Sequence, residues 1–392
     1  MLQYLFLLLP VAATCGWVFG RRGKTDELAK PVLGRMRPNF RKDYFRGLNY
    51  LINEEPDKAV DVFVRLLEVD TDTVETHLAL GSLFRRKGEV DRAIRIHQNL
   101  IARPQLAKEY RLEALSELGQ DYLSAGVLDR AERIFLELVD SGGKQPSSLH
   151  FLLTIYQLEK DWAKAIKITQ KLQSSGVAMH KVIAQYYCEL AEQAASRRDT
   201  TEVMNYLKKA NSVDHVCVRA NMIQARMEMM VGRYKEAIRC YKRIVEQDAD
   251  YLPEIIEQMV LCFRELNDEE RLTALLRKWL DQYPRISLVL ALSDHLRRRH
   301  GDKVAMEFIA GQIQEHPSLR GLYHLSMMYV HNSHGDAKEK LTILQNFLNR
   351  WLQDKPVYQC SQCGLAGKTL FWMCPSCHSW NTVKPIKGLE GS

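Results

Sequence analysis

The chain has 392 residues, 46% hydrophobic and 26% charged, with 12 prolines and 21 glycines. It can bury ordinary cores, and the scarcity of turn residues argues against both an all-β domain and a low-complexity linker protein. Lys plus Arg number 55 and Asp plus Glu 48, a net of +7, but nine bases and three acids between Arg21 and Arg46 carry +6 of it. The almost neutral remainder argues against a broad nucleic-acid-binding face.

Met1 to Gly20 has no charged side chain. Twenty helical residues at ~1.5 Å rise match a bilayer core of about 30 Å. No Lys or Arg precedes the segment, whereas Arg21, Arg22 and Lys24 follow it. Cationic flanks stay on the cytoplasmic side, so the N-terminus is expected outside and the body inside. A cleaved signal peptide would need a basic start and a small-x-small site, and neither is clear here. Cys15 follows threonine, a poor match to a lipidation site, and is read as a membrane-buried thiol. Pro10 is tolerated as a kink.

A repeat near thirty-four residues follows. Alanines recur at 59, 93, 131 and 165, then at 237 and 305. The frame Gly47/Tyr50/Ala59/Phe63 matches Gly81/Phe84/Gly88/Ala93/Leu100 and Gly119/Tyr122/Gly126/Ala131/Phe135. A small residue lets two amphipathic helices approach, an aromatic fills the gap, and the alanine seats the second helix. Ala225 to Glu246 is a clear late copy, with Gly232-Arg-Tyr-Lys-Glu-Ala237 at its turn. Degenerate copies lie at Leu153/Tyr156/Ala165, Ala191/Ala194/Val203/Leu207, Phe263/Leu272/Pro284 and Leu296/Ala305/Pro317. The spacing resembles the tetratricopeptide repeat. About eight units are expected between Tyr44 and Pro317, then a capping helical pair to Trp351. Intervals of 38 residues, such as 93 to 131, imply locally longer helices or turns. Stacking such units produces a continuous core and a concave surface suited to binding proteins.

Nine cysteines occur. Cys360, Cys363, Cys374 and Cys377 form C-x2-C-x10-C-x2-C, two knuckles whose thiolates can converge on one tetrahedral metal ion. Gly364 permits the first turn and Pro375 stiffens the second. Phe371, Trp372 and Trp380 are expected to supply a small apolar shell. Two disulfides are disfavoured in a reducing compartment. His378 is read as a bystander, and the thiols on the repeats as small core residues. The segment resembles rubredoxin-type zinc ribbons, and Cys374-Pro-Ser-Cys377-His-Ser-Trp380 is similar to the ribbon of some DNA-repair ATPases, although no P-loop accompanies it.

No catalytic residue is assigned, because none of the phosphate-binding, zinc-protease, nucleophile-elbow or dinucleotide motifs is present. A sulfur-only zinc cage also has no open position for water. Basic clusters at Arg85-Arg86-Lys87, Arg197-Arg198 and Arg297-Arg298-Arg299 are expected at solvated helix ends. A rubredoxin-like redox module and a nucleic-acid-binding ribbon on the same scaffold are the alternative functions.

The expected organisation is a transmembrane anchor at 1–20, a basic juxtamembrane linker at 21–43, an all-α tetratricopeptide solenoid at 44–351, a rubredoxin-type ribbon at 355–385 and a tail at 386–392. This combination resembles the lipopolysaccharide assembly protein B family of Gram-negative bacteria. The resemblance implies a non-catalytic, single-pass inner-membrane protein with its bulk in the cytoplasm. It also implies that degradation of the lipid A deacetylase LpxC by the membrane protease FtsH is promoted, with other lipopolysaccharide biosynthesis or transport proteins as further partners. It places zinc or iron on Cys360, Cys363, Cys374 and Cys377. The ribbon is expected to pack on the last repeats through its aromatic residues.

Overall fold

The computed structural model describes residues 45–47, 49–50, 55, 58–63, 74–142, 145–174 and 176–389. The expected anchor and linker lie outside these residues. Among the described residues, no helix is long and apolar enough to cross a membrane. Two compact units divide the chain, residues 1–155 and 156–392.

Helices run in antiparallel pairs, as the repeat frame requires. The first pairs are α1 (Val74–Arg86) with α2 (Val90–Ile101), and α3 (Lys108–Ser124) with α4 (Leu128–Asp140), followed by α5 (Gln145–Leu158) and α6 (Trp162–Ser174). Then come α7 (His180–Ser196) with α8 (Thr200–Val213), and α9 (Val218–Met230) with α10 (Tyr234–Gln247). A 3-10 turn at Ala249–Tyr251 leads into α11 (Leu252–Glu265), paired with α12 (Glu269–Gln282). The series closes with α13 (Ile286–His300), α14 (Asp302–Glu315), α15 (Leu319–Asn332) and α16 (Gly335–Asp354). This is a tetratricopeptide-repeat solenoid. The 38-residue interval is absorbed by helix length, since α3 has 17 residues where α1 has 13.

The first three repeat frames lock through the small and bulky positions read from the sequence. A Cβ on Gly47 would meet the Phe63 ring at 2.8 Å, and one on Gly119 would meet the Phe135 ring at 2.8 Å. At Gly81 the side chain in that place is His97, whose ring a Cβ would strike, so the residue equivalent to Phe63 is His97 and not Leu100. A fully buried imidazole needs a partner, and Asp121 Oδ2 lies 2.5 Å from its Nδ1. Arg85 donates to Asp121 and to Glu117, each at 2.7 Å. Arg85 is therefore tied into a buried network rather than free at a solvated helix end. Arg297, Arg298 and Arg299 do lie in the last turn of α13, where cations complement the helix dipole.

After α16 the chain forms a three-stranded antiparallel sheet, ordered β2-β1-β3, from β1 (Tyr358–Cys360), β2 (Ala366–Gly367) and β3 (Val383–Pro385). Cys360 pairs with Val383, and Tyr358 lies between Gly367 and Pro385.

Candidate metal centre and its docking face

The two knuckles are built alike. The amide of Gly364 donates to the Cys360 carbonyl at 3.0 Å, and that of His378 to the Cys374 carbonyl at 2.9 Å. The donor residue is left-handed in both, with φ of 77° at Gly364 and 55° at His378. Histidine is among the non-glycine residues that tolerate this region best. His378 thus closes a turn with its backbone and contributes nothing to the sulfur cluster.

The four thiols converge, with their Sγ atoms all within 4.8 Å of one another. Cys360 Sγ lies 3.8 Å from Cys377 Sγ, and Cys363 Sγ 3.6 Å from Cys374 Sγ. A tetrahedron of thiolates ~2.3 Å from a central zinc has edges of about 3.8 Å, so the residues present fit such an ion. The Thr382 hydroxyl, 3.3 Å from Cys360 Sγ, and the amides of Cys363 and Gln362 pull the Cys360 thiol down to about 6. That environment favours the thiolate a metal needs. Cys377, hydrogen-bonded to Ser379, is lowered as well; against the pull of the Cys377 amide, burial and the thiols of Cys363 and Cys377 raise Cys374 to about 11, the level to which burial pushes Cys240 and Cys262. Those two, with Cys188 and Cys217, are buried in the repeats, where small apolar groups belong.

The ribbon's own core is small, consisting of Cys360, Cys374 and Val383 with Tyr358, Leu370 and Cys377 against them. The expected aromatic shell is not there. Phe371 is 43% exposed, and the two tryptophans face the second unit's helices. Trp380 meets Trp162 edge-on at 5.9 Å and Tyr186 at 5.5 Å. Trp372 stacks on Tyr251 at 5.6 Å, and the Arg219 guanidinium lies 5.5 Å from its ring.

Polar contacts frame these rings. Tyr358 donates to Glu254 at 2.7 Å, and Tyr251 donates to Asn381 at 2.8 Å. Burial pushes the Tyr186 phenol up to about 12 and the Tyr251 phenol higher, so both stay neutral. Lys384 reaches Asp248 at 2.6 Å, and Lys387 reaches Asp250 at 2.7 Å. Arg285 holds the same Asp250 oxygen at 2.6 Å. Beyond the ribbon, the Leu319 amide donates to the Leu389 carbonyl at 2.9 Å. The ribbon and following segment thus reach from Trp162 on α6 and Tyr186 on α7 to Leu319 on α15, and so extend well before the last repeats. Beside them, a cleft of about 510 Å³ is lined by Met222, Arg226, Met229, Tyr234, Glu254 and Leu261.

The ribbon does pack on the repeats through its aromatic residues, as expected, but not on the last ones; the receiving residues Trp162, Tyr186, Arg219 and Tyr251 sit at unrelated places in the repeat frame, which hides them in the sequence. The one available signal was a ribbon too rich in tryptophan for its size.

Fold and site define a class: a tetratricopeptide-repeat protein that carries a four-cysteine ribbon against its repeats. Residues 358–385 match the model of a rubredoxin metal binding domain, and residues 76–108 match that of a tetratricopeptide repeat. The chain is 39% identical over 398 residues to lipopolysaccharide assembly protein B of Escherichia coli K12, covering 100% of both chains. It is 34% identical over 402 residues to the protein of that name in Haemophilus influenzae, again covering 100% of both. Yeast Tom70 aligns with 80% of this chain and 85% of its own at 13% identity, with a TM-score of 0.37. The chain belongs to the lipopolysaccharide assembly protein B family.

Proposed function

We propose that this chain is a non-catalytic adaptor of lipopolysaccharide assembly, held at the inner membrane by residues 1–20 with its repeats on the cytoplasmic side. It limits lipopolysaccharide synthesis by bringing LpxC to the protease FtsH, and it gathers other lipopolysaccharide biosynthesis or transport proteins. The observation that carries the reading is the match, end to end, to proteins named for lipopolysaccharide assembly in two organisms.

Cys360, Cys363, Cys374 and Cys377 hold one zinc or iron ion. When bound, the ion cross-links the two knuckles, which a core of three buried residues cannot stabilise alone. The folded ribbon then fixes Trp372 and Trp380 against the repeats. The adjacent cleft offers flexible methionine side chains, which adapt to a partner's apolar segment. One span restricts adaptor, protease and substrate to the same surface and raises their effective concentration.

The test is the half-life of LpxC in cells lacking this gene. The expected result is a several-fold longer half-life, restored by the wild-type chain and not by Cys374→Ser. An unchanged half-life in the deletion strain would contradict the proposal.

A further inference from the structure

The terminal helix of a repeat array ordinarily turns a polar face to solvent. α16 does not. It packs on α15, buries Leu348, and leaves Ile343 66%, Leu344 45%, Phe347 62% and Trp351 43% exposed. At 3.6 residues per turn these four fall within an arc of about 100°, a single stripe. The Phe347 and Trp351 rings meet edge to face at 6.2 Å, and the Lys355 ammonium lies 5.6 Å from the Trp351 ring centre. The stripe is therefore organised within one chain.

Its pattern says what covers it. Every fourth residue along the stripe reads Glu339, Ile343, Phe347, Trp351, Lys355, with an acid at one end, a base at the other and Phe347 at the midpoint. Residues four apart form a ridge on a helix, and this ridge is complementary to its own reverse. An antiparallel copy centred on Phe347 sets Glu339 opposite Lys355 and Ile343 opposite Trp351. Lys340 and Asp354, also equidistant from Phe347, obey the same symmetry. Lys340 meets Asp336 at 2.7 Å within its own chain, but both are largely exposed, and such a pair exchanges readily.

Charge separates this partner from a lipid surface. α16 carries Asp336, Glu339 and Asp354 against Lys338, Lys340 and Arg350, a net of zero. A helix lying on an anionic bilayer carries a basic polar face instead. We infer that α16 is a self-association surface on which a second copy of this chain docks antiparallel, with the two-fold axis passing by Phe347. Four apolar side chains per copy form less than the ~800 Å² per partner of a stable interface. The contact is transient in dilute solution and accumulates where copies are concentrated.

The test uses the full chain in its membrane fraction with a mild thiol oxidant. Phe347→Cys places a thiol beside the axis, and Lys338→Cys places one on the opposite side of the helix. The wild-type chain measures the background from the native thiols. Above that background, Phe347→Cys is expected to form a disulfide-linked homodimer at least tenfold faster than Lys338→Cys. Adding Glu339→Lys should slow that reaction several-fold, and adding Lys355→Glu as well should restore it. Equal rates for the two thiol positions, no response to the charge changes, no cross-link, or a cross-link to a protein of different mass would each overturn the inference.

Discussion

Around Tyr251, Leu252, Ile256 and Met259 the repeats of the second unit bury a continuous apolar core, whereas the ribbon's own core cluster is Cys360, Cys374 and Val383. A repeat helix is stabilised by its neighbours through a periodic stripe, and each pair adds core. The ribbon has no such periodicity and is too short to build a core of its own. It relies on two local devices, a sulfur cage and a set of side chains inserted among the helices. One region therefore tolerates loss of consensus residue by residue, and the other depends on a few atoms.

The sharpest way to break that contrast is Cys374→Ser. With the cage opened, the ribbon should lose most of the ~10 kcal/mol or more that a bound structural zinc contributes to such domains. Far-UV circular dichroism should keep its helical signal while the fluorescence of Trp372 and Trp380 reports exposure. Loss of both signals together would mean that the repeats depend on the ribbon. Trp380→Ala should cost less, about 2 kcal/mol of docking, because truncating a partly buried tryptophan costs less than truncating a fully buried one. Hydrogen exchange in the ribbon checks this, and unchanged protection would contradict it.

Asp250→Asn should cost about 1 kcal/mol, measured as a shift in the denaturant midpoint of the second unit. Partial burial pushes the Asp250 carboxyl up, but the hydrogen bond from Lys387 and the charges of Lys387, Arg285 and Lys384 prevail, holding it below its ordinary 3.8. Its contribution is therefore fully present above about pH 4 and lost as pH falls through the folded-state value. Wild type and Asp250→Asn should converge in stability under strong acid. The smallest effect concerns a turn. Arg198 has φ of 62°, and Arg198→Gly should stabilise by about 0.5 kcal/mol by removing the left-handed penalty. A lower midpoint would contradict this.

The left-handed turn residues show what the sequence could reveal. Gly88, Gly126 and Gly232 announce the turn five residues before Ala93, Ala131 and Ala237. Lys160, Arg198 and Asn267 adopt the same conformation at the same place before Ala165, Val203 and Leu272, with φ between 51° and 62°. Packing enforces the backbone there after the glycine has gone, so these units are degenerate in sequence and regular in structure. His97 is the opposite case. Its place in the frame is an aromatic one, and only the buried Asp121 and Arg85, from neighbouring helices, make a histidine acceptable there. In the ribbon, cysteine spacing made the cluster legible because the knuckle is a local motif. That the ribbon docks through its aromatic residues was legible, but where it docks was not, because Trp380 and Trp162 are distant in sequence and belong to no shared period.

Hydrogen exchange on the full chain, before and after metal removal by a chelator, tests most directly the claim that the sulfur cage holds the ribbon on the repeats. The account predicts lost protection across 358–385 together with faster exchange at the helix segments around Trp162, Tyr186 and Tyr251. Unchanged protection at those helix segments, with the ribbon unfolded, would contradict it.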